Sequence, residues 1–185
     1  MTTFDEVWSL LRRGEHGGAF MLIDCAGVDG GRARLPTAAF AELESLFTGD
    51  LAMELADVGP WLGRLAPAAP GASAAVLDLL QRQVGVLVVM ATPEGGASGP
   101  SFSQVHRHFR KFNIVYGADG RPLFFRYCDP RVVLDVLKVF TARQLEEFFG
   151  GADELVLTRA DGQIVRCRRQ AGTLLVADGA TASAG

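Results

Sequence analysis

The sequence predicts a mixed α/β (α+β) fold in a single domain: a partly antiparallel mixed sheet flanked by helices, with a small β-meander toward the C-terminus. Three observations carry this. Nearly continuous apolar runs at 19–26 (A-F-M-L-I-D-C-A) and 84–92 read as buried strands. Between and around them, apolar residues recur at helical spacing, as in Phe4, Val7, Trp8 and Leu11. Two Asp-Gly turns, Asp119-Gly120 and Asp161-Gly162, lie between strand-like segments, a strong hairpin signal.

In chain order, the first amphipathic helix ends in the glycines at 14–18, and the 19–26 strand leads into a polar loop over 27–34. Pro36 is placed as the first residue of a second helix whose inner face is Phe40, Leu43 and Phe47, stopped by Gly49-Asp50. Residues 51–65 are irregular and contain Pro60 and Trp61, which predicts an extended edge segment. After a turn at Pro67, Pro70 and Gly71, Ser73 is a candidate N-cap for a helix carrying Val76, Leu77, Leu79 and Leu80. Residues 84–92 are the expected central strand, followed by a glycine-rich loop over 93–100.

Phe102, Val105, Phe109 and Phe112 form the apolar stripe of the next helix, with Arg107, His108, Arg110 and Lys111 on its other face. Residues 113–117 and 122–128 pair across the first Asp-Gly turn. Asp129-Pro130 reads as N-cap and first residue of a helix with Val132, Val133, Val136, Leu137 and Phe140. Thr141-x-x-Gln144 is a capping box for a short helix ending at Gly150. Strands at 155–159, 164–168 and 173–176 make the meander, and 177–185 is expected to be a frayed tail.

The 185 residues carry a formal net charge of -3, without the basic excess of a dedicated nucleic-acid binder. Cys25, Cys128 and Cys167 are far apart and form no zinc-type spacing, so reduced, mostly buried thiols are expected. The N-terminus lacks the pattern of an export signal, and no apolar run approaches the roughly 20 residues of a spanning helix. The expectation is a soluble, cytoplasmic protein without a membrane partner.

Several constellations invite a chemical reading. The 92–101 loop runs from a strand into a helix and could cradle a phosphate, with the basic residues of that helix assisting. It has neither G-x-x-x-x-G-K-[ST] nor G-x-G-x-x-G spacing, and a plain loop is the favoured reading. His106 and His108, two apart on a helix, point about 200° apart and cannot share a metal ion; His106 is expected to be half-buried and His108 to face solvent. No serine falls in G-x-S-x-G, and no cysteine has a local signature identifying a base. No catalytic, metal or cofactor residues are assigned. Arg126, Asp129 and Arg131 form the densest charged cluster on fixed backbone geometry; Arg126 either reaches a carboxylate inside the fold or presents its planar fork to a partner. Arg166, Arg168 and Arg169 could join Arg107, Arg110 and Lys111 in a positive face, the basis of a weaker nucleic-acid reading.

The block Phe124-Phe125-Arg126-Tyr127-Cys128-Asp129-Pro130-Arg131-Val132-Val133 resembles the signature of the type VI secretion effector-adaptor (chaperone) family, long catalogued as a domain of unknown function. The segments 22–26, 55–62, 106–112 and Leu145-x-x-Phe148-Phe149-Gly150 follow in the order this family shows, so the resemblance spans about 19–150. It departs at Cys128, where an aromatic residue is common, and in a short segment after Gly150. The resemblance implies an adaptor domain over 1–150, followed by the 151–176 meander. It further implies a non-enzymatic chaperone whose partners are a toxin effector and a VgrG-type spike protein. Arg126, Asp129 and Arg131 would be the shared structural and interaction core, with the Arg107/Arg110/Lys111 face contacting a partner. A phosphate-ligand-binding α/β protein or enzyme using the glycine-rich loop is the alternative.

Overall fold

The computed structural model describes residues 3–92, 95, 98–117 and 119–178, with only the backbone of Thr3. Seven strands form one sheet in the order β2-β3-β1-β4-β7-β8-β9, and every pairing in it is antiparallel. The expected mixture of parallel and antiparallel strands is therefore corrected to an antiparallel sheet, while the α+β class stands. The strands are β1 (Gly18–Asp24), β2 (Phe40–Ser45), β3 (Pro60–Leu65), β4 (Gly85–Met90), β7 (Ala152–Thr158), β8 (Ile164–Gln170) and β9 (Thr173–Asp178). A separate hairpin pairs β5 (Ile114–Tyr116) with β6 (Pro122–Phe124). The helices are α1 (Thr3–Arg13), α2 (Asp50–Glu54), α3 (Ala72–Gln81), α4 (Phe102–Arg110), α5 (Pro130–Val139) and α6 (Ala142–Phe149).

Side-chain alternation along the central strands divides the core in two. Phe20 and Leu22 of β1, Val86 and Val88 of β4, and Leu155 and Leu157 of β7 point to the face covered by α4, α5 and α6. Met21 and Ile23, Leu87 and Val89, and Val156 point to the face covered by α1 and α3. Both faces are covered, so the middle strands read as continuous apolar runs although the sheet is antiparallel. The first core is aromatic: Phe109, Phe112, Phe125, Tyr127, Phe140 and Phe148 meet edge to face or stacked, with ring centroids 5.0–6.3 Å apart in contacts such as Phe112–Phe148 and Phe125–Phe140.

Three expectations are overturned. Residues 40–45 form a strand, with Glu42, Leu43 and Glu44 paired to Arg64, Gly63 and Leu62, and Pro36 precedes only a short 3-10 turn. Residues 60–65 are not an edge: β3 lies between β1 and β2, and Pro60, its first residue, occupies a position where a missing N–H is tolerated. Within 51–59 the chain forms the short α2 rather than an extended segment. Ser73 lies inside α3, whose N-cap is the left-handed Gly71. The expected central strand is borne out by β4, the middle strand of seven, and the 155–176 meander continues the same sheet through the β4–β7 pairing. Most of the expected tail, residues 179–185, lies outside the described residues.

Candidate functional site

The corner between β6 and α5 collects the most specific part of the sequence. Phe125 N–H donates to the Asn113 carbonyl, which holds the corner against the stem of the hairpin. Beyond it, Phe125, Tyr127 and Cys128 turn inward and Arg126 turns outward. The buried Tyr127 hydroxyl donates to Asn113 Oδ1 at 2.9 Å, and Asn113 Nδ2 donates to the Leu46 carbonyl at 2.8 Å. The corner, the hairpin and the end of β2 are thus joined by a satisfied buried hydrogen-bond chain.

Asp129 caps α5 as its sequence predicts, accepting from the Arg131 N–H at 3.0 Å with Pro130 next in the helix. Its carboxylate also receives a bidentate fork from Arg131, 2.9 Å at both oxygens, and Arg126 Nη2 lies 3.4 Å away. Arg126 bridges further to Asp24, 102 residues earlier, through a short 2.5 Å contact. Asp24 in turn accepts from Ala26 N–H at the end of β1. Asp129 is only 2% exposed, whereas the Arg126 and Arg131 side chains remain 43% and 54% exposed. Burial pushes the Asp129 carboxyl up, but the Arg131 side-chain and backbone hydrogen bonds and the two guanidinium charges outweigh it, holding the group below its usual pKa. Of the two readings open for Arg126, the internal one holds: it reaches two carboxylates of the fold.

Asp24 was not singled out from the sequence, although a signal exists: it is the lone charge in the apolar run 19–26. Glu154 is a second case. It is buried at the end of β4's neighbour β7 and is held by Arg166 at 2.5 and 2.9 Å and by Arg168 at 3.2 Å. This corrects the expected positive face. Val165 and Cys167 point into the core on the α6 side, so Arg166 and Arg168 alternate to the opposite side of the sheet, where Glu154 occupies them; Arg169 stays exposed and is not part of that pairing.

Arg107, Arg110 and Lys111 are exposed along the outer side and C-terminal end of α4. His106 is half-buried as expected, bonded to the Ser45 carbonyl at 2.7 Å. His108 corrects its expectation: it packs edge-on against Phe109 and Phe112 and is bonded to the Phe148 carbonyl at 2.9 Å. Burial lowers the His108 pKa, the Phe148 bond opposes this, and Lys111 lowers it further.

The α4 N-terminus is closed by its own capping box, Ser101 Oγ accepting from Gln104 N–H at 3.3 Å and Gln104 Oε1 from Ser101 N–H at 2.8 Å. Arg110 and Lys111 sit at the other end of the helix, about 12 Å away at 1.5 Å per residue, so they do not assist the loop. Residues 93, 94, 96 and 97 of that loop, Gly96 among them, lie outside the described residues, as does Ala118 of the first Asp-Gly turn.

Cys25, Cys128 and Cys167 are free and buried. Burial, then the charges of Asp24 and Asp57, pushes the Cys25 thiol up to about 12; burial chiefly does the same for Cys167 and raises Cys128 as well. Among the described residues, no cluster of three or more His, Cys, Asp or Glu side chains is arranged for a metal ion, and no helix is long and apolar enough to cross a membrane.

Together these features describe an antiparallel α+β domain with a charged, ion-paired corner between β6 and α5. The chain belongs to the family described as domain of unknown function (DUF4123), whose model matches residues 19–147, more than half of its length. The match ends inside α6 and covers both the Asp24 and the Asp129 halves of the corner. Comparison with curated proteins finds no match, and comparison with solved structures finds none.

Proposed function

We propose that this protein is a non-enzymatic adaptor of a bacterial type VI secretion system, which binds a toxin effector in the cytoplasm and loads it onto a VgrG-type spike protein. The observation that carries the reading is the F-R-Y-x-D-P-R corner, in a chain of the DUF4123 family, built as an ion-paired turn with an apolar side chain left outside it. Arg126 and Arg131 are paired with Asp24 and Asp129, so each carboxylate is held in an ion pair. Such an arrangement suits presentation of a surface better than proton transfer. Next to it, Phe124 is 47% exposed, the kind of rigid aromatic anchor that protein interfaces use.

The test is co-purification of the tagged protein with a candidate toxin and a VgrG-type spike protein, sought among the products of its neighbouring genes. Stoichiometric capture of the toxin, with the spike joining the complex, is the expected result. A folded protein that captures neither partner would remove the adaptor reading.

A further inference from the structure

We propose that the outer face of α4 and the apolar strip beside it form one docking surface for an acidic amphipathic segment of the effector; this rests on the adaptor reading and names the partner chemistry it requires. The cationic half is Arg107, Arg110 and Lys111, all exposed on one side of a nine-residue helix. Several exposed arginines elsewhere have carboxylate partners, Arg126 and Arg131 at the corner, Arg121 with Asp119 in its turn and Arg143 with Glu147 along α6, whereas the scattered Arg12, Arg34 and Arg169 have none among the described residues. No carboxylate among the described residues pairs with Arg107, Arg110 or Lys111. Their charge is left for something outside the chain.

The apolar half begins three residues beyond Lys111. Ile114 and Phe124 are direct cross-strand partners in the β5–β6 hairpin and are both about half exposed, at 45% and 47%. The Phe124 ring lies 5.4 Å from that of Phe47, on the segment that leaves β2. The placement of this strip beside α4 is fixed twice: His106 of α4 is bonded to the Ser45 carbonyl, and Asn113 at the hairpin stem is bonded to the Leu46 carbonyl. Helix, β2 exit and hairpin are therefore held together, and a ligand meets a preformed surface with little ordering cost. A two-stranded hairpin that leaves apolar side chains in solvent is itself unusual for a monomer surface and marks an interaction site.

Charge decides the occupant. The rim at α4, Arg107, Arg110 and Lys111, is cationic and has no carboxylate partner among the described residues. A segment with a stripe of large apolar residues fits the strip, and acidic residues along its α4-facing flank complement the cations; a basic segment gains nothing at that rim.

The experiment uses two synthetic 18-residue amphipathic peptides, one with Leu and Glu faces and the other identical except for Lys in place of Glu, titrated by fluorescence anisotropy against the full chain. The expected result is binding of the Glu peptide about tenfold tighter than the Lys peptide, from three rim charges that attract one and repel the other. That preference disappears in Arg107→Gln/Arg110→Gln/Lys111→Gln, and affinity for both peptides falls in Ile114→Ser/Phe124→Ser, with helix content and melting checked by circular dichroism. Equal affinity for the two peptides, or no response to either set of substitutions, overturns the proposal. Capture of the candidate toxin separates the two levels. If the wild type captures it and the folded triple variant captures it equally well, this surface is wrong and the adaptor reading survives. If the wild type captures no toxin but prefers the Glu peptide, the adaptor reading falls and the surface stands.

Discussion

Replacing Asp129 by alanine removes two separable contributions, and their sizes follow from the geometry. The first is the cap: the Arg131 N–H at 3.0 Å loses its acceptor, which costs about 1 kcal/mol. The second is the pair of guanidinium contacts from Arg131 and Arg126. Both arginines are more than one-third exposed and can return to water, so each contact is discounted to about 0.5 kcal/mol. The sum, about 2 kcal/mol, corresponds to a melting point lower by roughly 4–8 °C in a chain of this size. Asp129→Asn keeps a capping oxygen and loses the charge, so it should cost about half as much. Urea unfolding of the three proteins at pH 7 measures this. The pH dependence supplies an independent check of sign: Asp129 titrates below its usual 3.8 when folded, so its charge-dependent stability is present above that value and lost as pH falls through the folded pKa. The wild-type advantage over Asp129→Asn should therefore close below about pH 4. Equal stability of wild type and Asp129→Ala, or an advantage that grows on acidification, would refute the account of the corner.

Three further outcomes are expected. A Cβ at Gly99 would run into the Gly17 carbonyl oxygen, so Gly99→Ala forces backbone to move and should cost about 1–3 kcal/mol in a thermal or urea melt. His108 has a folded pKa below its ordinary 6.5, so the unfolded chain takes up the proton first; stability should fall as pH drops below about 6.5, and His108→Gln should flatten that slope between pH 7.5 and 5.5. The three buried thiols, two of them at about 12, should react with a disulfide reagent only after denaturant is added; fast labelling of the native protein would contradict their placement.

How much of this was legible in the sequence depends on whether the determining contact is local. Two capping signals held, Asp129-Pro130 and Thr141-x-x-Gln144, because a cap is satisfied within three residues; Ser101-x-x-Gln104 has the same pattern but was not singled out, and Ser73 lost its place to the left-handed Gly71. The 40–45 segment misled because Ala, Glu and Leu favour helices and Phe40, Leu43 and Phe47 have helical spacing; pairing with β3 overrides that preference. Its alternation, Glu42 and Glu44 exposed on either side of the half-buried Leu43, was the strand signal. At the corner, Arg126, Asp129 and Arg131 could be read as a cluster, but the carboxylate that fixes Arg126 comes from 102 residues away; its one local mark, being the lone charge in the apolar run 19–26, does not name its partner. His108 was placed in solvent for the same reason, since the Phe148 carbonyl and the rings around it come from the later part of the chain and from the helix's own packing.

The central claim is that this chain carries a toxin to a spike. Light scattering of size-exclusion peaks, from the purified protein mixed with a candidate toxin and a VgrG-type spike protein, tests that most directly. The account predicts a peak whose mass equals adaptor plus toxin, shifting to a heavier assembly when the spike is added. Separate elution of all three well-folded proteins would contradict it.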